Sequence, residues 1–311
     1  MNISSNFTLT NNGTISGDGF IYGDLSNSVD GRISVRTGDR LQMQGFSGGA
    51  NLGAIDVVGG EFDVTSATTN AQGAILTARN GTVRFQNGLT NNGSIGISFG
   101  TIDVFGDVNN TSTGSIVVTG NSEATFYDDL INNGEFRVRS GSTAVVFGDF
   151  SGANGVTGGG DLFLEGDLRP GNSPGLVSFE SDVFLSFSST SEFELGGLQI
   201  GTEYDSIIVD GLLVLNGTLD VRNYNGFTAK AGDSFELIQA NTLTGNFSRM
   251  LLPELAAGLT WKPTQNFNSF RLLVAVPEPS LLGFAGLIGL HFTTRRRRSS
   301  HINNQRRRSL V

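Results

Sequence analysis

Seven short stretches line up along the first half of the chain: NNGTI (11–15), VDGRI (29–33), NLGAI (51–55), AQGAI (71–75), NNGSI (91–95), STGSI (112–116) and NNGEF (132–136). Their glycines fall at 13, 31, 53, 73, 93, 114 and 134, so the gaps are 18, 22, 20, 20, 21 and 20 residues. A fixed period of this length marks a solenoid, whose units bury their apolar faces only against their neighbours. After each glycine comes strand-like alternation, as in Ile55-Asp56-Val57 or Phe136-Arg137-Val138-Arg139, with apolar side chains on one face and charged ones on the other. A second strand-like half follows, in TIDVFGDV (101–108), EATFYDDL (123–130) and TAVVFGDF (143–150). Such units are too short for a helical crossover between parallel strands. The economical fold is all-β: a right-handed parallel β-helix whose rungs stack about 4.8 Å apart. The alternative, an antiparallel sandwich, would show its turns every 8–12 residues or so. Asn-Gly, Asp-Gly and Gly-Asp pairs are expected to supply turns through their tolerance of positive φ. Counting two residues from each turn glycine predicts one buried column of Ile15, Ile33, Ile55, Ile75, Ile95 and Ile116.

Composition agrees with short strands and tight turns: 44 of 311 residues are Gly, charged residues are only 16%, and Lys230 and Lys262 are the two lysines. Charge is segregated. Residues 1–276 hold 13 basic against 28 acidic side chains, a net of −15, whereas residues 277–311 hold seven Arg against Glu278 alone, a net of +6. The acidic body should repel nucleic acid, and body and tail should meet different surroundings. With no cysteine there is neither a disulfide framework nor a thiolate metal site.

The repeats occupy residues 1–160. Residues 161–274 continue with the rung-like DLFLEGDL (161–168), a break at RPGNSPG (169–175), and strands in 206–221, 234–239 and 269–276. The stretch Gly166 to Gly175 and the later Glu203 to Val221, which opens with Glu-Tyr-Asp, resemble the passenger β-helix segments of bacterial autotransporters and related surface proteins. The resemblance covers about 110 residues. No translocating barrel follows it.

Residues 275–298 are AVPEPSLLGFAGLIGLHFTTRRRR. Residues 280–294 carry no charge, and as a helix they would reach about 22 Å, a short membrane span that flanking arginines and bilayer thinning can accommodate. Arg295, Arg296, Arg297 and Arg298 then place the C-terminus, with its basic tail 299–311, in the cytoplasm and the β-body outside. Val276-Pro277-Glu278-Pro279, the apolar run and the arginine cluster together resemble the PEP-CTERM sorting signal of Gram-negative bacteria. Two departures from that pattern are His291 within the apolar run and the residues after Arg298. The resemblance implies an exosortase-type membrane protease as partner, transient membrane anchoring before processing, and an exopolysaccharide or biofilm setting. Nucleic acid is not expected as a partner.

Both histidines, His291 and His301, lie in the tail, so histidine-dependent nucleophilic or zinc chemistry is excluded from the body. The enzyme alternative is a surface-displayed polysaccharide hydrolase or lyase, which needs a carboxylate pair or a basic side chain in a groove. Candidate pairs are Asp103 with Asp107 and Asp161 with Asp167; Asp128 and Asp129 are adjacent and would face opposite ways in a strand. No cofactor is expected. Calcium is the one ion to consider, at stacked Gly-Asp turns represented by Asp107, Asp149 and Asp167. The expected function is that of a non-catalytic structural or adhesive protein of the cell surface or matrix. The N-terminus reads as the interior of a repeat rather than as a signal peptide, which predicts further rungs and an export signal upstream of Met1.

Overall fold

The computed structural model describes residues 8–171 and 174–278. The body is a parallel β-solenoid of about eight turns, coiled through three walls: a fifteen-stranded, a ten-stranded and a seven-stranded sheet. One rung shows the plan. Ala54–Val58 lies in the seven-stranded wall, Glu61–Val64 in the fifteen-stranded wall and Thr68–Asn70 in the ten-stranded wall. The next rung repeats it in parallel register, with Ile55 opposite Leu76, Phe62 opposite Val83 and Asn70 opposite Asn91. On the middle rungs the third strand is only three residues long and mostly polar, as in Leu89–Asn91. That brevity is why alternation in the sequence shows two strands per unit rather than three.

The expected positive φ is found at Asn-Gly and Gly-Asp turns such as Gly38, Gly88 and Gly106, whereas repeat glycines such as Gly93 and Gly114 are needed for a steric reason. A Cβ on Gly93 would stand 2.4 Å from the Ala71 carbonyl oxygen and 2.5 Å from that of Ala74; one on Gly114 would stand 2.3 Å from the Asn91 carbonyl oxygen. Successive rungs pass too close at this corner for any side chain. Gly73 is different: its φ is +84° and nothing lies within 4 Å of its would-be Cβ. Here Ala74 takes the corner position, and its carbonyl accepts the Ser94 N–H at 3.0 Å.

This extra residue corrects the predicted core column. Leu76, not Ile75, pairs with Ile55 on one side and Ile95 on the other. Ile75 faces outward and is 50% exposed. The column reads Ile15, Ile33, Ile55, Leu76, Ile95, Ile116 and Phe136, with Ile15 half-buried at its first described member and the rest buried.

The ten-stranded wall contains a feature of another kind. Asn27, Asn51, Asn70, Asn91 and Asn110 are buried, and each donates its Nδ2 to the Oδ1 of the asparagine one rung on, at 2.7, 3.1, 3.0, 2.9 and 2.8 Å, the last reaching Asn132. Asn11 begins the described ladder by donating to Asn27 at 2.8 Å. The remaining amide protons go to backbone carbonyls, such as that of Ser115 from Asn91 at 3.2 Å. At the far end Asn132 donates to the carbonyls of Asn154 and Gly155, both at 3.0 Å. The ladder position on the following rungs falls to Gly152 and then Pro170, which pair with one another.

Past Pro170 the corner between two walls straightens. Leu176–Phe179 and Asp182–Leu185 both pair with Ser206–Leu215, which on its other side pairs with Ser234–Gly245 through a register shift between Val209 and Leu212. The coil ends in strands that run antiparallel, unlike the all-parallel expectation: Ser234–Gly245 pairs with Ser269–Ala275, and that strand with Thr260–Gln265. A chain that reverses can lay a hairpin over the last rung. Tyr204, Phe227 and Trp261 gather around Phe235, with ring centroids 5.4–6.0 Å away, and the Trp261 Nε1–H donates to the Pro253 carbonyl at 2.8 Å. The edge strand carries Lys262 and Pro263, which discourage pairing with another chain.

Two results should follow. Leu76→Asp should unfold the body, since burying an unpaired carboxylate costs several kcal/mol, whereas Ile75→Asp should stay within about 0.5 kcal/mol of the parent in urea titrations. Asn91→Ala leaves the Asn70 donor and the Asn110 acceptor without their partner, at about 1–3 kcal/mol for each orphaned group. The neighbouring Asn92→Ala, which removes only a 2.8 Å bond from the Thr111 hydroxyl, should cost under about 1 kcal/mol.

Candidate functional site

The Val276-Pro277-Glu278-Pro279 stretch, expected from sequence to be a sorting signal, begins where the strands stop. The last strand ends at Ala275, and Val276, Pro277 and Glu278 follow outside any strand, with Val276 64% exposed. Pro279, residues 280–294 and the arginines 295–298 lie outside the described residues, so the short C-terminal helix expected from sequence falls there too.

The carboxylate pairs proposed as candidate chemistry belong to different walls. Asp103 sits in Thr101–Val104 of the fifteen-stranded wall, while Asp107 precedes Val108–Asn110 of the ten-stranded wall, across the Phe105-Gly106 corner. Asp161 and Asp167 are divided in the same way, across the corner before Leu168–Pro170. Asp103 is pushed up by burial, against the pull of the Arg84 guanidinium 3.4 Å away. Arg84 also meets Glu61 at 3.2 Å and Asp63 at 3.6 Å. These charges therefore stitch neighbouring rungs together.

Asp107, Asp149 and Asp167 do stack along one corner, and Asp129 belongs to the same column, because the carbonyls of all four accept the N–H that begins a strand on the preceding rung. The carboxylates of Asp129, Asp149 and Asp167 are used as rung ties. Asp129 Oδ1 accepts the Asp149 N–H at 2.9 Å, Asp149 Oδ1 accepts the Asp167 N–H at 3.1 Å, and Asp167 Oδ1 accepts the Thr190 N–H at 2.8 Å. Arg169 completes the cluster through ion pairs with Asp149, with Asp167 at 3.7 Å and with Glu192 at 3.2 Å. At Asp149 and Asp167 the place considered for a cation thus already holds a guanidinium.

Beside this column lies an aromatic stack that repeat alignment could have revealed, since Phe105, Tyr127 and Phe147 occupy the same place in three aligned segments. Their rings are stacked at 4.2 and 5.5 Å, within 9° of parallel. The stack joins three rungs on the outside of the coil, with Tyr127 41% and Phe147 49% exposed.

The two motifs that resemble autotransporter passengers meet at Asp205. Its carboxylate accepts the Gly175 N–H at 2.6 Å and the Glu194 N–H at 2.7 Å, tying the end of the proline-rich break to the following rungs. Burial pushes its pKa from the ordinary 3.8 to about 6, opposed by these two N–H bonds and assisted by the nearby Glu194 carboxylate.

A surface that sequence reading did not single out is the outer face of the seven-stranded wall. It displays Arg32, Arg36, Arg79, Arg137 and Arg139 against only Asp56 and Glu135, a positive face on a body of net −15. Asp56 organises its centre, accepting from Arg32 at 2.5 Å and the Thr77 hydroxyl at 2.8 Å, with Arg79 at 3.6 Å. Burial would raise the Asp56 pKa, but the Thr77 bond and the two guanidiniums outweigh it and hold it below the usual carboxylate range. Among the described residues, Arg36 and Arg139 have no carboxylate partner. Two adjoining depressions of about 520 and 610 Å³ share Arg32 and Asp56 and run along this wall from Thr14 to Thr119.

No family model and no curated protein sequence matches the chain.

A raised carboxyl pKa means that the folded state holds the proton more tightly than the unfolded chain does. The stability due to Asp205 is therefore fully present below about pH 4 and is lost as pH rises through about 6. Unfolding free energy measured from pH 4 to 7 should contain a falling component of up to about 3 kcal/mol that disappears in Asp205→Asn.

Proposed function

We propose that this chain is an exported structural or adhesive protein of a bacterial cell surface or extracellular matrix, sorted through its C-terminal Val276-Pro277-Glu278-Pro279 signal. The observation that carries this reading is where the compact unit stops. It closes at Ala275, one residue before a motif that resembles a processing signal, so cleavage there would spare every strand of the body. An exosortase-type membrane protease is the partner this arrangement needs. Before processing, residues 280–294 would hold the chain in the membrane, with Arg295 to Arg298 on the cytoplasmic side.

A non-catalytic role is supported by how the charged side chains are spent. Acids proposed as catalytic pairs are divided between walls, and the Asp149–Asp167 column ties rungs through backbone N–H groups and Arg169. A solenoid held this way is a scaffold whose long outer faces serve as binding or assembly surfaces in an exopolysaccharide or biofilm setting.

Mass spectrometry of the surface-exposed protein in a host with the matching protease should find a new C-terminus within residues 276–279. Exported mature protein that still ends at Val311 would contradict the sorting assignment.

A further inference from the structure

We propose that the outer face of the seven-stranded wall binds an acidic polysaccharide, a polyuronate, with Arg36 and Arg79 meeting the carboxylates of every second sugar and Phe99 as its stacking ring. This deepens the surface-protein reading and rests on it only for the biological setting, since binding can be measured on purified protein.

Three observations converge on this wall. The first is charge. Arg36 and Arg79 stand in one outward column, each directly opposite Val58 on the rung between them. Two rung steps separate them by about 9.6 Å, a spacing on the scale of a disaccharide. A nucleic acid strand carries a charge about every 3.4 Å, far denser than these guanidiniums, and the acidic remainder of the body would oppose it. Elsewhere on the body arginines such as Arg84 and Arg169 are each bound up with three carboxylates. Arg36 has none, and Arg79 shares Asp56 with Arg32 at 3.6 Å.

The second is shape and hydroxyl content. Gly96 has nothing within 4 Å of its would-be Cβ, so the wall dips there, between Thr77 on one rung and Val117 on the next. Thr77, Ser98 and Thr119 line the same depression with hydroxyls, and Ile75 and Val117 give it apolar flanks. Hydroxyls beside small apolar patches match the alternating O–H and C–H surfaces of a pyranose.

The third is Phe99. It follows Ser98 at the corner of this wall, is 63% exposed and has a φ of +53°. Asn80, at the same corner one rung before, and Asn121, one rung after, have residue types that tolerate this conformation, at φ 50° and 58°. A phenylalanine there is strained without burying its ring in the core. Its ring lies beside Gly120, whose would-be Cβ would be 3.0 Å from the Phe99 ring. An exposed aromatic held at a conformational cost, next to a hydroxyl-lined groove, is placed for a sugar face rather than for the fold.

The test uses the purified full chain in mild detergent and a polyuronate oligosaccharide as probe, with its carboxyl-reduced neutral form and a single-stranded oligonucleotide of equal length for comparison. Calorimetric titration should show binding of the polyuronate, at least tenfold weaker binding of the reduced form, and no binding of the oligonucleotide. Arg79→Gln and Arg36→Gln should each weaken polyuronate binding about tenfold, the loss expected for one charged hydrogen bond, while Arg222→Gln on the ten-stranded wall leaves it unchanged. Phe99→Asn should weaken binding while raising the melting temperature, which separates a ligand contact from a packing defect. Equal binding of the reduced polymer, tighter binding of the oligonucleotide, no binding at all, or indifference to all three groove substitutions would each overturn the proposal. A body that binds polyuronate but keeps Val311 on the cell surface would instead leave this site standing and refute the sorting assignment.

Discussion

The buried asparagine ladder is the interaction on which the rest of the coil depends. A primary amide is a donor at one end and an acceptor at the other, so identical asparagines can chain head to tail only when their rungs lie in parallel register about 4.8 Å apart. Slipping a rung by one residue would remove an amide from the chain and leave two buried polar groups orphaned, which is costly in a dry interior. The ladder therefore fixes what hydrophobic stacking alone leaves loose. Apolar columns tolerate neighbours of different size, as Ile55, Leu76 and Ile95 show, but an amide has one partner at one distance. It also explains why the period wanders. The distance from ladder asparagine to turn glycine is two residues at Asn91 and Gly93 and four at Asn110 and Gly114, and the turn absorbs the difference while the amides stay aligned.

Where the ladder ends, other ties take over. Gly152 and Pro170 occupy its position on successive rungs, and the Asp129–Asp149–Asp167 column with Arg169 carries the coil through the same stretch. Asp205 then clips the proline-rich break to the following rungs at the expense of a buried charge. On the fifteen-stranded wall, arginines and acids alternate closely enough to bind rung to rung. The seven-stranded wall is the exception, with more guanidiniums than carboxylates and a strained aromatic at its corner. Its chemistry faces away from the coil, which is why we propose it as the surface for a partner.

Much of the fold could be read from the sequence because the repeat is strict in the one respect that sterics enforce. Gly93, Gly114 and Gly134 recur because neighbouring carbonyls leave no room for a Cβ, and that regularity exposes the solenoid. The same reliance on glycine misled the register at one rung, where Gly73 is an ordinary left-handed turn residue and Ala74 takes the corner. The ladder asparagines stood in plain view beside the glycines, but their offset varies, and Asn next to Gly has a simpler meaning as a turn residue. The antiparallel hairpin was not legible because its strands alternate like any others; direction depends on the partner. The arginine face was hidden for another reason. Residues 36, 79 and 99 are distant in sequence and are gathered only by the coil, whereas the stretch that resembles a sorting signal is continuous and needs no fold to be seen.

Side-chain amide hydrogen exchange, followed by NMR on asparagine-labelled protein, tests the central claim most directly. The Nδ2 protons of Asn27, Asn51, Asn70, Asn91 and Asn110 should exchange only on opening of the coil, orders of magnitude more slowly than those of Asn92 and Asn133 in the adjoining turns. Ladder amides that exchange as fast as Asn92 would show that the asparagines face water, and the in-register coil built on them would be wrong.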